Sequence, residues 1–325
     1  MSFIIFPIIL FSFFTSFKLV PVINQFGHNN NLLDKPSNRK SHEIPIVRLG
    51  GIAIFLSIFI STIISYFFNL LNVEYLNFFK IFMFNTSLFF SIGVLEDFLS
   101  ISNLKKLILQ ILAASFTWFL GLRIEIVNIP FIDSLNNAEI SPIISYLITV
   151  VWIVGIVNAF NWLDGLDGLA CGSSIIFCVG YSLYFLKYQN SSDLIILAII
   201  ISSNIGFLMH NFYPAKIFMG DSGSYLVGSI LAFFSIRSEI LIATQNTIFM
   251  TFIPQIIIMF LPIFDMAFVI LMRILRLRSP FNPDRRHLHH RLMDMGLKHK
   301  DTVILFYFIN IITCSIGISL LRSYL

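Results

Sequence analysis

The chain has 325 residues, 57% hydrophobic and 12% charged, with a formal net charge of +4 and a mean hydropathy of +0.87. A soluble domain carries about 25% charged residues, so this composition excludes a water-soluble globular protein and reads as an all-α polytopic integral membrane protein. Cys171, Cys178 and Cys314 lie in or beside apolar runs without paired spacing, which excludes a disulfide framework and a zinc site.

A span needs about 20 apolar residues to cross about 30 Å of hydrocarbon. Ten segments qualify in chain order: 3–20, 50–70, 78–95, 104–122, 142–159, 168–187, 193–210, 222–236, 247–272 and 302–321. The eighth is short and the ninth long, and an extra break within 222–264 would make eleven. The opening "MSFIIFPIILFSFFTSFKLV" has no basic start and no small-residue cleavage site, so it is read as a retained first span. No internal repeat is visible, and residues 1–325 read as one transmembrane domain.

Ten spans put the connections 21–49, 96–103, 160–167, 211–221 and 273–301 on one side. With Lys18 and the neighbouring helix ends, that side holds 16 of the 21 Lys and Arg residues; the other keeps Lys80, Arg123, Lys187, Arg237 and Arg322. The positive-inside rule makes the first set cytoplasmic and both termini external. Nearly every polar cluster falls on the same five loops, which predicts a single site at that face.

The first cluster, "DKPSNRKSHEIPIVRLGG", carries Arg39, Lys40, His42 and Arg48 beside the bilayer, suited to a lipid phosphate or to anchoring the loop. "EDF" puts Glu96 and Asp97 at the end of the third span, with Lys105 and Lys106 beyond; adjacent carboxylates there repel unless a cation or shared proton relieves them. In "NAFNWLDGLDGLACG", Asn158 and Asn161 are three apart and share a helical face, and Asp164 and Asp167 each precede a glycine. One such Asp is ordinarily a cap, but two Asp and two Asn in ten residues point to a site. "FMGDSGS" sets Asp221 among small residues at a helix start, where phosphate is received and a carboxylate can hold magnesium. Asp265, inside the ninth span, is a functional candidate, with a pairing to Arg273 as the structural alternative. "PFNPDRRHLHHRL" brings Arg286, His287, His289, His290 and Arg291; the H-x-H-H spacing does not suit zinc, and flanking Arg suits a diphosphate.

Taken together and in this order, these motifs resemble the polyprenyl-phosphate N-acetylhexosamine-1-phosphate transferases, over about residues 34–300. The resemblance implies ten or eleven spans, a plasma-membrane enzyme, Mg²⁺ or Mn²⁺ as cofactor, and transfer of a sugar 1-phosphate from a UDP-sugar to undecaprenyl or another polyprenyl phosphate with release of UMP. It implies metal binding by Asp221 and Asp164, and catalysis by Asp97, Glu96 and Asp221. Asn158, Asn161, Asp164, Asp167, Arg286, His287, His289, His290 and Arg291 fall to the nucleotide sugar, and Arg39, Lys40, His42 and Lys105 to the lipid phosphate. The family usually has Asp where this chain has Glu96, so more weight rests on Asp97, the candidate to accept a residual proton. The H-x-H-H run resembles the N-acetylglucosamine branch. The peptidoglycan-precursor branch has an acidic residue after its histidine motif, where Arg291–Leu292 follow here. A transporter is the reading from another class; the lack of repeats and the one-sided clusters weigh against it. No nucleic-acid partner is expected, and a homodimer is compatible with this reading.

Overall fold

The computed structural model describes residues 2–34, 44–72, 75–125, 140–243, 252–277, 279 and 286–323. It contains α1 (Ser2–Asn29), β1 (Leu33–Asp34), β2 (Ile46–Val47), α2 (Gly50–Phe67), α3 (Leu76–Leu99), α4 (Asn103–Phe119), α5 (Pro142–Leu163), α6 (Leu169–Lys187), α7 (Ser191–Asn211), α8 (Gly220–Ala243), α9 (Ile253–Ile258), α10 (Phe260–Ile274), α11 (Leu288–Asp294) and α12 (His299–Ser323). The β1–β2 pair is antiparallel, Leu33 opposite Val47. Eight of the described helices are long and apolar enough to cross a membrane. The fourth and ninth expected spans correspond to α4, of 17 residues, and to the α9–α10 pair.

Three elements depart from the expected spans for identifiable reasons. α1 runs on to Asn29 through Pro21. Proline cannot donate to the carbonyl four residues back, and the Phe17 carbonyl so released lies 3.1 Å from Nε2 of His210 on α7. The ninth span is broken at Met259 (φ −101°, ψ 31°), where Pro262 cannot supply the amide that would continue the helix across Ile258. α8 does not stop at 236, because the two charged residues beyond it are compensated inside the bundle. Arg237 Nε lies 3.3 Å from Asp193 Oδ2 on α7, with its guanidinium 3.8 Å from the Phe78 ring centre. Glu239 Oε1 accepts from Gln255 Nε2 at 2.9 Å, and Gln255 Oε1 accepts from Tyr181 at 2.7 Å.

α8 is the axis of the bundle, the most deeply buried of the eight candidate spans. It packs on α2, α3, α5 and α6 through small residues such as Ser222, Ser224, Ser229 and Ser235, all buried, which let backbones approach closely. The C-terminal ends of α3, α5 and α7 and the N-terminal ends of α2, α6, α8 and α12 meet at one end of the molecule, where every described candidate loop converges.

Candidate active site

The site is organised by the first turn of α8. Helix N-termini leave amides without intrahelical acceptors, and a carboxylate from another helix takes them here: Asp97 Oδ1 accepts from the Asp221 amide at 2.8 Å and Oδ2 from the Ser222 amide at 2.9 Å. The Asp97 side chain has no exposed surface. Gly220 makes the turn possible, since its φ of +74° suits glycine and a β-carbon would strike the carbonyl of Arg48. The segment ahead of α8 is stitched to the start of α2. Phe218 N donates to Val47 O at 2.8 Å, Gly50 N to Phe218 O at 2.9 Å, and Gly51 N to Met219 O at 2.8 Å.

These bonds carry Arg48 to Asp221. Arg48 Nη2 donates to Asp221 Oδ1 at 2.7 Å and lies 4.0 Å from Asp97 Oδ1. Asn161, in the last turn of α5, donates its amide to the same Asp221 oxygen and to Ser224 Oγ, both at 3.0 Å. Asp221 Oδ2 accepts no hydrogen bond from any described residue, nor does the carboxylate of Asp164, which ends α5. Burial pushes the Asp164 carboxyl up to about 7, Arg48 works against that shift, and Asp221, Asp97 and Asp167 add to it. Among the described residues no three His, Cys, Asp or Glu groups lie close enough to form a complete protein cage for a metal. Two open carboxylates instead fit an ion that keeps water and substrate phosphate in its shell, the habit of magnesium.

The other expected residues fall around this centre in distinct ways. Asp167 Oδ2 accepts from Ala215 N at 2.9 Å, so it ties the 164–168 turn to the loop before α8. Its own amide donates to His299 Nε2 at 3.0 Å, and Tyr307 on α12 donates to Gly168 O at 2.6 Å. Asn158 points away from Asn161, donating to Gln110 Oε1 on α4 at 2.7 Å and to Val154 O at 2.8 Å. Glu96 diverges from Asp97 and pairs with Lys106 Nζ at 3.0 Å, while Lys105 is exposed on the first turn of α4. Arg39, Lys40 and His42 lie outside the described residues.

The histidine run forms α11 and its cap. Asp265 Oδ2 is 2.7 Å from His287 Nδ1, and Asp265 Oδ1 accepts from Leu288 N at 2.6 Å. The carboxylate inside the ninth span thus holds α11, while Arg273 lies 5.0 Å from the Trp162 ring centre. His287 stands 5.3 Å from Trp162 and 5.6 Å from His289. His289 is buried against Gly165, where any side chain would strike the imidazole. Burial and the neighbouring His290, His287 and His299 hold it well below the usual histidine range. His290 packs 4.3 Å from His289. Arg286 reaches the Met272 carbonyl at 3.5 Å, and Arg291 lies 5.1 Å from the Phe268 ring centre.

Residues 79–239 match the model of glycosyl transferase family 4. A Bacillus subtilis protein named as a probable undecaprenyl-phosphate N-acetylglucosaminyl 1-phosphate transferase is 34% identical over 315 residues, covering 96% of this chain and 83% of that one. The chain belongs to glycosyl transferase family 4. A Thermotoga maritima undecaprenyl-phosphate alpha-N-acetylglucosaminyl 1-phosphate transferase is 32% identical, covering 90% and 84% of the two chains. A Mycobacterium leprae decaprenyl-phosphate N-acetylglucosaminephosphotransferase is 32% identical, covering 84% and 72%. Within this family 4 chain, the residue whose place the motifs did not foresee is Arg48, grouped by sequence with the lipid-phosphate or anchoring cluster but paired here with Asp221. Its signal was a basic residue just ahead of Gly50–Gly51, but only the stitching of 47–51 to 218–219 shows that it meets Asp221.

Proposed function

We propose that this protein transfers N-acetylglucosamine 1-phosphate from its UDP-sugar to a polyprenyl phosphate, giving the lipid diphosphate sugar and UMP, at the cytoplasmic face of the plasma membrane. The observation that carries the reading is the centre on α8: two open carboxylates and an arginine at the end of the bundle where the helices stop. A water-soluble diphosphate and a lipid phosphate meet at such a boundary. The names of the relatives support both the polyprenyl acceptor and the sugar.

In this reading an oxygen of the lipid phosphate attacks the β-phosphorus of the donor, a new diphosphate bond forms, and the bond to UMP breaks. One diphosphate replaces another, so the reaction runs in both directions. Phosphoryl transfer asks for positioning and charge stabilisation more than for covalent help. Asp221 Oδ2 and Asp164 would hold Mg²⁺ or Mn²⁺, which when bound neutralises the diphosphate charge. Asp97 serves as the residue that fixes the α8 turn rather than as a base, since both its oxygens are held by amides and the acceptor phosphate is already anionic. Asp265 orients His287, and Asp167 holds the turn bearing Asp164.

Sugar-labelled UDP-N-acetylglucosamine, undecaprenyl phosphate and Mg²⁺ added to the purified protein test this directly. Label should enter the organic phase with UMP released, and excess UMP should discharge it. A folded protein giving no labelled lipid from any UDP-hexosamine would remove the reading.

A further inference from the structure

We propose that Arg48 is an exchangeable counter-ion: it neutralises Asp221 in the metal-free protein and passes to substrate phosphate when a divalent cation takes that carboxylate. The inference rests on the metal reading of Asp221 given above. Three observations carry it. The first is the pairing itself, 2.7 Å to Asp221 Oδ1, on the carboxylate whose other oxygen stays open among the described residues.

The second is charge. Asp221, Asp97, Asp34 and Asp164 all act on the Arg48 guanidinium, and among the described residues Arg48 is the cation ion-paired with Asp221. Four carboxylates acting on one arginine leave a negative surplus, which an arriving cation would relieve. That cation would compete with the guanidinium for the same carboxylate.

The third is the way Arg48 is built. Its backbone is clamped, through Val47 on one side and Gly50 and Gly51 on the other, to residues 218–219. Its carbonyl packs on Gly220. Its side chain, however, is 41% exposed, while the Asp97 and Asp221 side chains are 0% and 9% exposed. A fixed root and an open head let the guanidinium change partner without moving the helices. Guanidinium pairs as well with phosphate as with carboxylate, in the same forked geometry, so the released head would stay near the reacting diphosphate.

The test is Mn²⁺ binding, read by the loss of the free-ion EPR signal on detergent-solubilised protein without substrate. R48Q should bind Mn²⁺ about tenfold more tightly than wild type, the order expected when a competing charge near the surface is removed. R48K, which keeps the charge but loses the fork, should fall between them. Mn²⁺ should also raise the melting temperature of R48Q more than that of the wild type, because only the variant has an uncompensated Asp221. Despite better metal binding, R48Q should lose about 100-fold in kcat/KM for the UDP-sugar, as expected when a phosphate-stabilising arginine is removed. D221N sets the baseline. If wild type and D221N bind Mn²⁺ alike, the metal reading falls and this proposal with it. If D221N loses binding while R48Q and R48K bind no better than wild type, or if R48Q keeps full kcat/KM, the proposal alone is overturned.

Discussion

The two ends of α8 both bury charge, and they do so in opposite ways. At the far end Arg237 meets Asp193 at 3.3 Å beneath an aromatic ring, and Glu239 is held by Gln255. Each charge there has a partner from another helix, although Asp193 Oδ1 is buried without a hydrogen bond. At the near end Asp97 is answered by amides, but Asp221 keeps one oxygen open and the Asp164 carboxylate accepts no hydrogen bond from any described residue. Closed charge holds helices together, since a membrane interior gives unpaired ions little solvation. Open charge of one sign requires something from outside. Exposure follows the same contrast: the Arg237 side chain is 8% exposed and that of Arg48 is 41%.

Mutations at the two ends should therefore fail differently. The largest effect is expected from D221N, which should lower lipid labelling at least about 10³-fold, on the scale of losing the group that stabilises transition-state charge, with little change in melting. A large melting loss with turnover preserved would move Asp221 to the structural side. R237A leaves Asp193 buried without its partner and should cost about 3–5 kcal/mol of stability, while the molecules that remain folded turn over normally; thermal melts paired with activity per folded protein check this. D97N lies between the two ends in character. It weakens two charge-assisted bonds to the α8 amides, so about 1.5–3 kcal/mol of stability should be lost together with turnover, and both should be measured on one preparation. The smallest effect is expected from N158A, which breaks the neutral bonds to Gln110 and the Val154 carbonyl for about 1 kcal/mol and should leave KM for the UDP-sugar unchanged. A KM increase there would return Asn158 to the nucleotide site.

Glu96 sharpens the same comparison. It stands beside Asp97 in sequence, yet it points to Lys106 while Asp97 turns under α8. The extra methylene of glutamate suits that reach to Lys106.

The sequence by itself determined the membrane class, the positions of the helices and the gathering of polar loops at one end. These follow from hydropathy and from the parity of the spans, both local or additive properties. It also marked Asp221, Asp164 and Asn161, because polar groups at the mouths of apolar runs stand out. It misjudged the end of α8, since Arg237 and Glu239 look like a span boundary until Asp193 and Gln255 are seen across from them. It grouped Asn158 with Asn161 by their spacing, although neighbouring helices draw the two side chains to different partners. Only the tertiary structure decided that Asp97 caps α8, that Asp265 holds His287, and that Arg48 sits on Asp221. In each case the partner lies at least 22 residues away, and what a buried polar group binds is set by the helix packed against it, which no local pattern encodes.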